Sequence, residues 1–185
     1  MTTTDSRVST YAWLRPVALT ASLLLLGYGI LRLVDGLDGH RDKSAWAWMT
    51  GHTLFLFGIV AFGAMIVGLH GLLRTASSRL HTVDDVAALA GLVGAAGFVW
   101  VILGDLFPRF ADAVTTPDLV LLGGPALFEL GLLTLLVRAA VARLLPPWGP
   151  LLVLVGFGAI AVNLDLLPVG AGLVFAGLLP LKSHR

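Results

Sequence analysis

The sequence predicts an all-α polytopic membrane protein, a six-helix transmembrane bundle with its last two spans short and both termini cytoplasmic. Three observations predict it. The chain is 57% hydrophobic and 12% charged with a mean hydropathy of +0.93, too apolar for a water-soluble domain of 185 residues. Apolar runs of the length needed to cross a hydrocarbon core of roughly 30 Å recur along it. The basic residues, ten Arg and two Lys, gather in alternate loops. Cysteine is absent, which excludes disulfides, thiol chemistry and cysteine-ligated zinc or iron–sulfur sites. Glutamine is absent as well, and this Arg-rich usage is like that of a high-GC bacterium.

Residues 1–15 read as a polar cytoplasmic leader with Arg7 and Arg15. The first span, 16–34, opens at Pro16, where a missing N–H would have had no helical partner anyway. It reads as a retained span and not a cleaved signal, because no small-residue cleavage site follows a short apolar core. Tyr28, Arg32 and Asp35 fall on one face of its last turns, a spacing that pairs a snorkelling arginine with an aspartate at the interface. Trp46 and Trp48 suit the membrane–water boundary at the start of the second span, 48–70. His52 and His70, eighteen residues apart, share a face about 27 Å apart along the axis. Haem would need opposing axial ligands, and no other predicted span carries a histidine, so both are read as interfacial.

After a polar loop at 72–85, the third span runs over 86–104. Ala87, Gly91 and Ala95 at spacing four, with Ala90 and Gly94 beside them, form a small-residue face that lets a neighbouring backbone approach. Residues 105–117 mix Asp105, Arg109 and Asp112 with Leu106, Phe107 and Phe110, a segment lying partly in the interface. The fourth span, 118–138, carries Gly123, Gly124 and Pro125, which weaken the helix one turn before Glu129, the single glutamate. The remaining apolar run is too long for one span, and Asn163, Asp165 and Pro168 divide it into short spans at 148–163 and 166–181, followed by a cytoplasmic tail at 182–185. Six spans place Arg7, Arg15, Arg74, Arg79, Arg138, Arg143, Lys182 and Arg185 inside, against Arg32, Arg41, Lys43 and Arg109 outside. Five spans leave no such bias.

The run Asp35-Gly36-Leu37-Asp38-Gly39-His40-Arg41-Asp42 resembles the opening of the signature of CDP-alcohol phosphatidyltransferases, small six-span enzymes whose paired aspartates bind divalent metal. The resemblance stops there. Asp42-Lys43 stands where that family has Ala-Arg, no second aspartate pair follows before Asp84, and the segment falls on the outer side, so membership is not assigned.

Function has to be sought in or beside the membrane, since no loop is long enough for a soluble domain. Glu129 lies near the bilayer centre, where a charged carboxylate costs about 2.5 kcal/mol or more, so it is expected to be neutral, paired or facing a cavity. Asp35, His52, Asp105, Asn163 and Asp165 fall at outer ends of spans, where they can line a funnel leading inward to Glu129. The expected role is a binding, transport or accessory module in the cell membrane, not an enzyme. Its partners are the lipid bilayer and another membrane protein or a small apolar or cationic ligand. No nucleic acid, metal or cofactor is expected. The alternative is a membrane-embedded enzyme acting on a lipid or isoprenoid, with Glu129 as its acid–base group.

Overall fold

The computed structural model describes residues 11–37, 43, 45–76 and 80–182, and among them it is all-helical. The helices are α1 (Leu14–Asp35), α2 (Trp46–Ala76), α3 (His81–Leu106), the short α4 (Pro108–Ala113), α5 (Asp118–Val141), α6 (Trp148–Val162) and α7 (Leu167–Leu178). A 3₁₀ turn, Leu164–Leu166, joins the last two. Helices α1, α2, α3 and α5 are long and apolar enough to cross a membrane. Their outward faces carry Leu23, Phe57, Val67, Leu89, Leu122 and Leu130, each at least half exposed, as a lipid-facing perimeter requires.

The helices close into a ring. α1 packs on α2 and α7, α2 on α3, α3 on α5, α5 on α6, and α6 on α7, while α2 also reaches α5 across the middle. Half of α2's apolar window is buried, against a third for the other long helices, so α2 is the inner one. Its Ile59, Phe62, Met65, Ile66, Leu69 and Leu73 form the core against Leu132, Leu135 and Leu136 of α5 and Leu25 of α1.

Backbone contact between small residues holds the ring. α3 and α5 run antiparallel, and a methyl group on Gly94 would lie 2.5 Å from the Gly124 carbonyl oxygen and overlap the backbone of Phe128. One on Gly131 would overlap the Ala87 carbonyl and the Gly91 nitrogen. The small-residue face expected on the third span is thus the seam with α5. A second seam joins α6 to α7, where Gly156 and Gly170 face each other so closely that either Cβ would meet the opposite carbonyl oxygen at 2.5 Å. Dispersion and close packing supply such contacts where no hydrophobic drive exists between helices in lipid.

The last apolar run is two helices, not one kinked helix. The Asn163 side chain accepts a hydrogen bond from the Asp165 backbone N–H at 2.8 Å, turning the chain, and Pro168 sits in the first turn of α7. At 15 and 12 residues, α6 and α7 are about 22 and 18 Å long. Elsewhere the helices extend beyond their expected limits. The polar loop expected at 72–85 is largely helical, because α2 continues to Ala76 and α3 begins at His81. α5 is uninterrupted at Gly123-Gly124-Pro125. Pro125 is tolerated within the helix, and Gly124 serves the contact with Gly97 of α3. The interfacial segment at 105–117 contains α4.

α5 ends in a Schellman motif. The Leu144 N–H donates to the Ala139 carbonyl and the Arg143 N–H to the Ala140 carbonyl, both at 2.9 Å. Arg143 takes the left-handed position with φ 61°, where a non-glycine residue costs about 1 to 2 kcal/mol.

The seam makes a sharp contrast between glycines. Gly94→Ala is expected to lower stability by about 1 to 3 kcal/mol, the range for overpacking. Gly158→Ala and Gly172→Ala, with nothing within 4 Å of the added methyl, are expected to be neutral or to gain up to about 1 kcal/mol. Denaturant titration of the three purified variants in one detergent measures the difference.

Candidate functional site

Two polar clusters lie at opposite ends of the bundle with an aromatic cavity between them. The first is built on the start of α2. Trp48 and His52, one turn apart, stack with ring centroids 4.1 Å apart, and the His52 Nδ1 lies 2.9 Å from the Trp48 carbonyl oxygen. That contact makes Nδ1 the protonated nitrogen and leaves Nε2 to face the Asp105 carboxylate at 3.7 Å. Asp105 comes from the last turn of α3 and is also held by Lys43 Nζ at 3.1 Å. The Trp48 Nε1–H donates to the Asp105 carbonyl at 3.4 Å, and Lys43 sits 5.5 Å above the Trp48 ring. Tyr28 of α1 meets His52 edge-on at 5.1 Å and lies flat on Phe55 at 4.5 Å. His52 is 3% exposed.

Beneath this cluster is a cavity of about 140 Å³. Tyr28, Phe55, Phe62, Phe98, Phe128 and Phe157 line it, and Leu164 and Leu167 of the α6–α7 turn border it at the same end. Phe128 is its hub, edge-on to Phe98, Phe62 and Phe157 at 5.5, 5.8 and 5.9 Å. Such a space is large enough for a six-carbon ring or one isoprenyl unit, since an apolar cavity of about 150 Å³ stays dry and takes up benzene.

The expected site residues divide into four groups. His52 and Asp105 come together. Asp35 lies at the end of α1, where its Oδ2 and the Arg32 Nε are buried without hydrogen-bond partners, and the expected Arg32–Asp35 ion pair is not formed among the described residues. Asn163 and Asp165 share the turn before α7, and Asn163 is engaged in making it. Glu129 stands apart, half-buried in the middle of α5 on the stripe of Pro125, Leu132 and Leu136, and is not among the residues lining the cavity. It makes no hydrogen bond or ion pair among the described residues. No group of three His, Asp or Glu side chains able to hold a metal is found among them either. Of the Asp35–Asp42 run, residues 38–42 lie outside the described residues.

The second cluster, at the other end, is built on Asp84 and Asp85, which fall in the stretch whose composition reads as a polar loop. Both lie in the first turns of α3, rotated about 100° from each other, so each reaches a different neighbour. Asp84 is fully buried and takes Arg138 of α5 in a two-pronged pair, Nε to Oδ1 at 2.8 Å and Nη2 to Oδ2 at 3.2 Å. Asp85 turns to α2, where its Oδ1 is 2.6 Å from His70 Nε2 and 3.1 Å from Arg74 Nη1. His70, expected as an interfacial residue, is an interhelical contact. The readable signal was the spacing of Asp84 to Ala87, Ala88 and Gly91, which places the acid on the small-residue face.

In comparison with known proteins, no family model, curated protein or solved structure matches this chain.

Asp84→Ala is expected to destabilise the bundle by about 1.5 to 3 kcal/mol, because it leaves the partly buried Arg138 guanidinium without its two-pronged counter-charge. Replacing both residues by leucine is expected to recover most of that loss, as apolar replacements of buried ion pairs commonly do. Thermal unfolding of the single and double variants measures the coupling.

Proposed function

We propose that this chain is a multi-pass cell-membrane protein with six spans and cytoplasmic termini, acting as a binding or accessory module for a small apolar ligand with a polar handle. The observation that carries the reading is the aromatic cavity itself, whose lining residue Tyr28 also meets the His52 ring edge-on. The basic residues favour the cytoplasm for the opposite end, so the His52 end faces outward. An apolar ring or prenyl unit fits among Phe55, Phe98, Phe128 and Phe157, while its polar end is directed to the Tyr28 side, where the His52 ring lies against Tyr28. Tyr28 belongs to both parts and couples them.

Glu129 has a different task in this reading. A mid-helix carboxyl on the margin of α5, without a partner among the described residues, is suited to bond a helix of another membrane protein. The alternative, a membrane-embedded enzyme acting on a lipid or isoprenoid, is favoured by one observation only, the His52–Asp105 pair beside the cavity. It would take His52, and not Glu129, as the proton-transfer group.

Photolabelling tests the binding reading. A short prenol carrying a diazirine is expected to label peptides containing Phe55, Phe98 or Phe157 in native membranes. Ile59→Trp, which fills the cavity, is expected to reduce that labelling at least tenfold with the protein still folded. Equal labelling of both proteins contradicts the proposal. In the same set, Glu129→Leu is expected to leave the isolated chain as stable as wild type. A loss of roughly 0.6 to 2 kcal/mol instead assigns Glu129 to a hydrogen bond within the chain.

A further inference from the structure

The charges at the Asp84 end are not all neutralised. Arg138 is bound by Asp84 and Arg74 by Asp85. Arg143 and Lys182 have no carboxylate partner among the described residues, and they converge. The Lys182 backbone N–H donates to the Leu144 carbonyl at 2.9 Å, which pins the segment after α7 beside the residue following Arg143. Together they line a concavity of about 570 Å³ whose other walls include Pro146, Pro147 and Pro180, with no acidic side chain lining it among the described residues.

Three further features of this concavity agree. α6 begins at Trp148, directly after Pro146 and Pro147, so the positive end of its dipole lies at the same turn. Trp148 is half exposed there, as an indole at the membrane–water boundary is. The left-handed backbone of Arg143 places a long cation at a position where glycine would be relaxed. A strained non-glycine residue retained at a basic hollow is a reason to look for a ligand.

We infer that the Arg143–Lys182 hollow is a binding site for an anionic phosphate group, supplied by the head group of an anionic phospholipid such as phosphatidylglycerol. Two cations and an apolar, proline-walled rim match a phosphodiester whose acyl chains continue along α6 and α7. The inference rests on the membrane location alone and is independent of the cavity at the other end.

Native mass spectrometry of the protein released from nanodiscs of equal phosphatidylcholine and phosphatidylglycerol tests it. Wild type is expected to retain one phosphatidylglycerol per chain in preference to phosphatidylcholine. Arg143→Gly, which keeps the backbone conformation and removes the charge, and Lys182→Gln are each expected to weaken retention about fivefold, and together about 25-fold. Arg109→Gln, at the other end of the molecule, is expected to leave retention unchanged. Equal retention of the two lipids by wild type, or an equal loss in Arg109→Gln, overturns the site. Displacement of the lipid by millimolar inorganic phosphate overturns its assignment to a lipid head group.

Discussion

The structure depends on the backbone contact between α3 and α5. Where Gly94 meets Gly124 and Phe128, and Gly131 meets Ala87 and Gly91, there is no room for a single methyl group on either glycine. That closeness fixes the antiparallel register of the two helices, and everything of chemical interest hangs on the register. One direction along the seam brings Asp84 to Arg138. The other direction carries the Phe128 ring into the bundle, where it closes the aromatic cavity against Phe62, Phe98 and Phe157. The α6–α7 seam at Gly156 and Gly170 repeats the device and supplies the remaining wall.

Charge follows packing. In a low-dielectric surround an acid is retained only where a partner or water reaches it. Asp84 and Asp85 each hold a basic residue of a different helix, so one dipeptide braces α3 to both neighbours. Asp105 draws Lys43 and faces His52, tying the segment before α2 to the end of α3. Glu129 is the exception, since its helix packs tightly on one side and leaves the carboxyl at the margin. Arg143 and Lys182, which have no carboxylate partner among the described residues, are the positive counterpart.

Much of the architecture is legible in the sequence because its causes are local. Ala87, Gly91 and Ala95 announce a close-packed face by spacing alone, and Asn163 with Pro168 ends one helix and begins another through their own backbone chemistry. Pairings between distant residues are not local. Asp84 and Arg138 are separated by 54 positions, and the acid was hidden in a stretch polar enough to pass for a loop. His52 was visible, but its partner Asp105 comes from another helix. Glu129 drew attention because depth reveals what a carboxyl costs; depth says nothing of which helix faces it. Pro125 does not interrupt α5, since an intramembrane helix accommodates a proline that a water-exposed one would not. The cavity is illegible in the sequence because six packed rings leave a gap only through their rotamers.

The claim that the α6–α7 hairpin crosses the membrane twice decides which way the cavity faces. Because the chain lacks cysteine, single cysteines at Asp112, Asp165, Ser77 and His184 can be probed with a membrane-impermeant thiol reagent on intact cells. The account predicts labelling of Asp112→Cys and Asp165→Cys and protection of Ser77→Cys and His184→Cys until the membrane is opened. Labelling of His184→Cys from outside, or protection of Asp165→Cys together with Ser77→Cys, would contradict it.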